Sequence, residues 1–470
     1  MDLAVTTTES VDLTGELTRL AAELEVPGVA VGVYFDGVEH YAFHGVTSVD
    51  NPLTVDENTL FQFGSTGKTF TATAILRLVE QGKIDLHAPV RTYVPELRLR
   101  DESVAEKVTV LQLLNHTAGW AGDYEKNTGT GDDALAIYIA GMADIDQVSP
   151  LGAEVSYNNA SLSLAGFVIE KVTGTTFEQA MKDLVLDPVG MHDTYFFPND
   201  VMTRRFSVGH IRSSDGTVSI ARPWALPRNG NPAGGMSATV GDQIAWAAFH
   251  LRDGQTREGT QVMSADLVRS MRQPTVEMPG NALGDAVGIS WMLRDLGEVT
   301  LVEHGGTTIG QHSAFAMVPE RNFAITVLTN CGPNGEQLNS ELVKWALEAY
   351  LGVVEAEPEI VDGTPEALEQ YLGDYDSAAL DVTITADPGR LAVKITIKPE
   401  LLAEVGELDQ FDAPIPLGLI AGDGDRYVVT EGPMKGVRGY FTRDGAGVVN
   451  SINLGGRRCD RVGGSSQPTG

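Results

Sequence analysis

Residues 59–82 read TLFQFGSTGKTFTATAILRLVEQG, a helix with a reactive-looking start. The helix is predicted over 66–81, with Ala72, Ile75, Leu76 and Val79 on one stripe and Gly82 as the stop. At its head, Ser65 and Lys68 form an S-x-x-K pair whose i, i+3 spacing puts both side chains on one face. A serine hydroxyl is a weak nucleophile and needs a base. A lysine can serve as that base only if burial or a nearby cation drops its pKa well below about 10.4. Backbone N–H groups at a helix start can also stabilise an oxyanion. A capping serine beside a surface lysine has the same spacing, so the pair alone is weak. The neighbouring GSTGKT is like the end of a phosphate-binding loop, but that loop needs glycine where Gln62 stands.

Outward from this helix, residues 10–45 read as a helix and two strands. VPGVAVGVYFDGVEHYAFHGV turns at Asp36-Gly37 between alternating apolar stretches, as a hairpin does. A second helix follows Asn159 and ends at Gly174, and a third spans roughly 239–252. EVTLVEHGG and SAFAMVPERNFAITVLTNC read as neighbouring antiparallel strands joined by a Pro-Glu-Arg-Asn turn, and a helix over 336–351 follows. Strands at both ends of a helical middle predict an α+β unit: an antiparallel sheet flanked by helices. VVEAEPEIVDGTPEA, acidic and broken by prolines, reads as a linker. Beyond it, DVTITAD, RLAVKITIK, RYVVTEG, VRGYFTRD and GVVNSINL are strand-like pieces between Gly and Asp turns. They predict a small all-β domain, a barrel or a sandwich. The expected units are 1–352, a linker over 353–366, and 367–470.

Composition bounds the function. The chain has 470 residues, enough for two or three folding units, and is 42% hydrophobic. It carries 64 acidic against 33 basic residues, a net charge of -31. Such a surface repels nucleic acid and anionic lipid, so neither is an expected partner. Two cysteines, Cys331 and Cys459, make neither a disulfide scaffold nor a zinc site. The histidines show no metal-ligand spacing, so neither metal nor cofactor is expected. The N-terminus MDLAVTTTESVDL has no basic and apolar leader pattern and no apolar run reaches membrane-spanning length, so a cytoplasmic location is expected.

Two more elements join the S-x-x-K pair. VSYNNASLSLAG places Tyr157 and Asn159 as Y-x-N just ahead of a helix. The tyrosine can share a proton with Ser65 and Lys68, as phenolate or as relay, and the asparagine can hold a substrate amide. A core tyrosine and a helix-capping asparagine are the plainer alternatives, and Asn159 can be both cap and ligand. VEHGGTTIG places His304-Gly305-Gly306 on a strand, where glycines let a substrate backbone approach.

S-x-x-K, Y-x-N and His-Gly-Gly, in that order, resemble the serine β-lactamase and penicillin-recognising superfamily. The likeness is to its class C β-lactamase, family VIII carboxylesterase and D-aminopeptidase branches. It covers residues 25–352 and includes the phrases VPGVAVGVYFDG, GKIDLHAPVRTYVPEL, LLNHTAG and PAGGMSATVGDQIAWA. It implies a β-lactamase-like fold with a helical subdomain and a lipocalin-like barrel after it. It implies that Ser65 is acylated and that Lys68 and Tyr157 exchange protons. Asn159 would hold a substrate carbonyl or amide, and the N–H groups of Ser65 and Thr307 would form the oxyanion hole. His304 stands where many relatives carry the lysine of K-T-G. A histidine mostly neutral at pH 7 attracts an anionic β-lactam less, so dedicated β-lactamase activity is not expected. The barrel of such relatives can lend a loop to the active-site rim.

The function expected is therefore hydrolysis of a small ester or amide through acyl-Ser65, as a carboxylesterase or amidase. The alternatives are a D-stereospecific aminopeptidase and a non-catalytic ligand-binding protein on the same scaffold. A homo-oligomer stays open. His116 is expected to fix a loop, Trp120 to line the cleft or pack, and His312 is undecided.

Overall fold

A computed structural model describes residues 11–124, 126–213, 215–387, 389–405, 413–432 and 434–463. The first ten residues of the N-terminal stretch read above lie outside these. Helix α1 (Leu13–Glu23) leads into β1 (Gly28–Phe35) and β2 (Val38–Gly45). The hairpin turns where expected, with Asp36 at φ 49° and Gly37 at φ 85°, the left-handed pair that matches strand twist. Helix α2 (Gly67–Glu80) begins one residue later than predicted. A 3-10 turn over Gly64–Thr66 precedes it and carries Ser65, so the serine sits in a tight turn rather than in the helix. Helix α3 (Asn159–Thr173) stops at left-handed Gly174, as a glycine C-cap should. Helix α4 (Val240–Leu251) completes the helical middle.

The sheet then resumes with β3 (Val276–Asn281), β4 (Gly284–Val287), β5 (Met292–Asp295), β6 (Thr300–Thr307), β7 (His312–Val318) and β8 (Phe323–Thr329), before helix α5 (Asn334–Leu351). Its order is β2-β1-β8-β7-β6-β5-β4-β3, antiparallel throughout. The first three of these late strands were not foreseen: VEMPGN, GDAV and MLRD are too short and too broken by Gly and Pro to show alternation. Helices α1 and α5 cover one face of the sheet, over Val31, Leu301, Val318 and Ile325. Helix α4 covers the other, where a Cβ on Gly32 would come within 2.6 Å of Ile244, so the glycine sets that close approach. Phe70 of α2 stacks on Trp246 of α4 at 3.9 Å, joining the helical middle to the sheet core.

Past α5, eight strands close into a barrel: β9 (Gly373–Asp376), β10 (Leu380–Asp387), β11 (Arg390–Ile397), β12 (Ile415–Ile420), β13 (Asp423–Val429), β14 (Arg438–Arg443), β15 (Val449–Leu454) and β16 (Arg457–Arg461). They run in the order β12-β11-β10-β9-β16-β15-β14-β13, with β13 pairing back onto β12. Closure removes both edges, and Tyr375, Tyr427 and Phe441 fill the interior. The linker reading needs one correction. Ile360 and Val361 pair with Ile420 and Leu419 of β12, and Pro365–Glu369 is a turn of helix, so the acidic segment is partly built into the barrel wall. Two adjacent β-branched residues between its prolines give it that strand character. No helix among the described residues is long and apolar enough to cross a membrane.

Candidate active site

The turn that carries Ser65 is pressed against β6. Gly64 is left-handed at φ 52°, and a Cβ there would lie 2.7 Å from the Thr307 nitrogen. A Cβ on Gly306 would lie 2.0 Å from the Phe63 carbonyl oxygen and 2.7 Å from the Ser65 nitrogen. Only glycines allow this contact, and it brings the N–H groups of Ser65 and Thr307 to one place. Two hydroxyls staple it. Thr66 Oγ1 donates to the His304 carbonyl at 3.0 Å, and Ser313 Oγ donates to the Phe63 carbonyl at 2.7 Å.

Lys68 is fully buried one helical turn on. Its Nζ donates to Ser65 Oγ at 2.9 Å and to the Ala233 carbonyl at 2.7 Å, and lies 4.9 Å from the Tyr157 ring centroid. Ala233 belongs to a short turn, Asn231–Gly234, held on α2 by the Thr71 hydroxyl, which donates to the Pro232 carbonyl at 2.8 Å.

Tyr157 completes the cluster beside Ser65 and Lys68. Burial pushes its pKa well above the usual phenol range, against the pull of Ser65 and of Arg457. Two side chains pack on the ring. His116 stacks at 4.6 Å, and the Arg457 guanidinium lies 4.9 Å from the ring centroid. His116 itself is fixed by accepting the Asn158 N–H on Nδ1 at 3.1 Å, so it positions the loop, as expected. Trp120 is fully buried, with its carbonyl accepting from Asn158 Nδ2 at 2.9 Å, and is packing rather than cleft wall.

Asn159 departs from the expectation of a cap. Asn158, in extended conformation, caps α3 by accepting the Ser161 N–H at 2.8 Å. Asn159 is already helical, and its amide donates to Asp123 Oδ1 at 3.1 Å. Asp123 in turn takes a two-pronged ion pair from Arg457, at 2.6 and 3.0 Å. Arg457 comes from the barrel. It follows the Gly455-Gly456 turn, both residues left-handed, and the Gly456 carbonyl accepts the Tyr157 N–H at 2.9 Å. A barrel loop therefore forms part of the active-site rim.

His304 is buried on β6, its ring 6.2 Å from that of Tyr157, with Nδ1 donating to the Gly305 carbonyl at 2.6 Å. Burial and then Lys68 lower its pKa to about 3, so it is neutral in any working buffer. His312 meets Thr307 Oγ1 through Nδ1 at 3.2 Å. Ser65, Tyr157, Asn159, His304, Gly305, Gly306 and Thr307 line one cavity of about 680 Å³, with Lys68 beneath its floor. Asp123, Ala233, Ser313 and Arg457 join them without any foreshadowing in the sequence. Among the described residues no group of His, Cys, Asp or Glu is arranged to hold a metal.

Three histidines tie stability to pH. His116, His250 and His304 are buried, and burial is the main reason each sits far below the ordinary imidazole range. In the unfolded chain each returns to about 6.5. As pH falls below that value the unfolded state binds protons that the native state refuses, so stability drops. From pH 6.5 to 5 the loss from His304 is roughly 1.5 kcal/mol, and His116 and His250 add to it in the same direction. Urea unfolding at the two pH values measures it. His250, which touches Trp246, Phe249 and Trp291 and not the site, is the control: His250→Leu should lower the slope by one proton, and an unchanged slope refutes the assignment.

A turn-borne serine bonded to a buried lysine, with a tyrosine beside them, at the foot of an antiparallel sheet, defines a class of serine hydrolase. The profile of the Beta-lactamase family matches residues 15–349, and the chain belongs to that family. "Penicillin-binding protein 4" of Amycolatopsis lactamdurans is 33% identical over 316 residues, 67% of this chain and 83% of that one. The crystal structure of SurE superposes with TM-score 0.75 at 26% identity, covering 96% of this chain and 98% of SurE. SurE with D-Leu gives 0.71 over the same shares. The octameric penicillin-binding protein homologue from Pyrococcus abyssi gives 0.65 at 21% identity, over 96% and 99%. The latter two proteins thus share the fold through the barrel as well as the sheet.

Proposed function

We propose that this chain cleaves an ester or amide of a small acyl group through acyl-Ser65. The observation that carries the reading is the hydrogen bond from Lys68 to Ser65 at 2.9 Å, with the Tyr157 ring 4.9 Å from the Lys68 amine. Lys68 accepts the serine proton as the hydroxyl attacks the carbonyl. Tyr157 relays that proton: it takes one from Lys68 as it gives its own to the leaving group, so it is not left as the anion that burial disfavours. The N–H groups of Ser65 and Thr307 take the oxyanion, and Asn159 orients a substrate amide. Residues 1–352 carry the chemistry, and the barrel over 367–470 closes the rim through Arg457.

D-configured acyl donors fit best. SurE, similar over nearly the whole of both chains, was crystallised with D-Leu. A neutral His304 offers no charge to a substrate carboxylate, so β-lactams should be poor substrates. The test is a panel of p-nitrophenyl acetate and butyrate, D- and L-alanine p-nitroanilide, and a chromogenic cephalosporin, run beside Ser65→Ala. Expected are turnover lost in Ser65→Ala, D over L by at least about tenfold, and the cephalosporin slowest. Turnover that survives in Ser65→Ala overturns the nucleophile, and L over D overturns the stereochemical preference.

A further inference from the structure

Glu178 is a buried carboxylate that does not line the catalytic cavity. It stands on a short helix, Phe177–Met181, whose start is pinned twice. Thr176 Oγ1 accepts the Gln179 N–H, and the Glu170 carboxylate of α3 accepts the Phe177 N–H at 2.9 Å. Glu178 therefore reaches out from a fixed base. Its carboxylate accepts three N–H groups, all from residues 228–231. Arg228 gives two, Nε at 3.1 Å and Nη2 at 3.0 Å, and Asn231 Nδ2 gives the third at 2.7 Å. A carboxylate away from water is costly unless partners of this kind meet it. Apolar side chains would fill the same space without that cost, so what the charge supplies is a fixed geometry.

The segment that Glu178 holds carries the acceptor of Lys68. A 3-10 turn over Arg228–Gly230 runs directly into the turn Asn231–Gly234. The Ala233 carbonyl, two residues after Asn231, takes the Lys68 amine at 2.7 Å. The next residue abuts the turn of the nucleophile. A Cβ on Gly234 would lie 2.9 Å from the Gly64 carbonyl carbon and 3.2 Å from the Ser65 nitrogen. A small displacement of this turn therefore moves the partner of the base and the neighbour of an oxyanion N–H together. Hydroxyls fix the side that faces α2 and α3: Thr71 donates to the Pro232 carbonyl at 2.8 Å and Ser163 to the Asn229 carbonyl at 2.9 Å. Glu178 fixes the other side, at Arg228 and Asn231. Arg228 also meets the Thr130 carbonyl at 2.8 Å and the exposed Asp132 at 2.9 Å through Nη1.

The geometry points to Glu178 as a positioning residue: through Asn231 and Arg228 it sets the Ala233 carbonyl that aims the Lys68 amine at Ser65. This rests on the acyl-Ser65 reading and adds to it a residue outside the cavity. A neutral amine takes the serine proton on its one lone pair, so its own N–H bonds must point elsewhere for that lone pair to face Oγ. The Ala233 carbonyl holds one of those N–H bonds. A base that loses this aim slows the chemical step and leaves substrate binding as it was.

The test uses the full chain as wild type, Glu178→Gln, Asn231→Asp and the two substitutions together. Each single change spoils the pair, setting amide against amide or carboxylate against carboxylate. The two together restore one donor and one acceptor with the roles exchanged. Attack by Ser65 is followed with an alkyl fluorophosphonate, whose kinact reports the chemical step and whose KI reports binding. Its end point counts the competent sites, so a loss of folded protein does not enter the rate. Both single variants should lose about tenfold or more in kinact, with KI within about twofold of wild type. The double variant should recover most of that loss. An unchanged kinact in the single variants, a loss carried by KI alone, or a double variant no faster than the slower single one overturns the inference. Where a single variant does not fold, Asn231→Ala, which leaves the Glu178–Arg228 pair whole, should show the same drop in kinact at constant KI, and a wild-type kinact there overturns the inference too. Turnover of p-nitrophenyl acetate that persists in Ser65→Ala would instead refute the acyl-Ser65 reading itself.

Discussion

Lys68→Ala lowers kcat/KM for the best ester of the panel by about 10³- to 10⁴-fold, the range of a removed general base. The geometry allows no simple substitute. Lys68 Nζ is 2.9 Å from Ser65 Oγ, while His304 is turned so that its Nδ1 serves the Gly305 carbonyl. His116 accepts from the Asn158 backbone and is stacked on the Tyr157 ring. Tyr157 would have to become a phenolate, which burial opposes. The loss should fall on acylation: the burst of p-nitrophenol disappears along with the steady state. Folding is the necessary control, because the Ala233 carbonyl loses its donor, at a cost of about 1–3 kcal/mol. Lys68→Met, which keeps the length of the side chain without the amine, should be as inactive as Lys68→Ala and more stable. A rate within tenfold of wild type in a folded Lys68→Met protein would remove lysine from the mechanism.

What could be seen in the sequence follows from how local each determinant is. Ser65 and Lys68 are three residues apart and meet because a helix begins between them. The Asp36-Gly37 hairpin and the stop at Gly174 are likewise written in adjacent residues. Asn159 shows the limit of that reading. Whether an asparagine caps a helix or begins it turns on the backbone angles of one residue, and here Asn158 takes the extended conformation that caps. The Ala233 carbonyl was invisible for another reason: a backbone oxygen has no sequence signature, and only the packing of Pro232 on α2 and α3 aims it at Lys68. Arg457 lies 334 residues from its partner Asp123. Nothing within GGRRCD distinguishes an arginine aimed at a catalytic tyrosine from one on an ordinary hairpin. The resemblance to enzymes with an appended barrel foretold a loop at the rim but not the residue. Strands β3 to β5 were hidden because their pairing with one another and, through β5, with β6, not their own alternation, makes them strands.

Tyr157→Phe separates the two halves of the reaction, and its expected effect is about 10²- to 10³-fold on the steady state. The ring would keep its place. Stacking on His116, the Arg457 guanidinium 4.9 Å from the ring centroid and the backbone bond to Gly456 all involve atoms other than the hydroxyl. What is lost is the proton carrier beside Ser65, while the 2.9 Å bond from Lys68 remains. With an activated ester the leaving nitrophenolate needs no proton, so acylation should survive and a full burst should appear. Deacylation must still return a proton to Ser65, and there the slow phase should lie. With an anilide, whose leaving amine must be protonated, acylation itself should fail and no burst should form. The contrast between ester and anilide is therefore the diagnostic, rather than either rate alone. Arg457→Met gives the complementary case. It removes the cation that favours the phenolate and leaves Asp123, which opposes it, so the tyrosine becomes a still weaker acid. If Tyr157 donates and recovers a proton in each cycle, Arg457→Met should slow ester and anilide alike, by less than Tyr157→Phe does. Equal bursts for ester and anilide in Tyr157→Phe would instead assign leaving-group protonation to Lys68 and leave the tyrosine a positioning role.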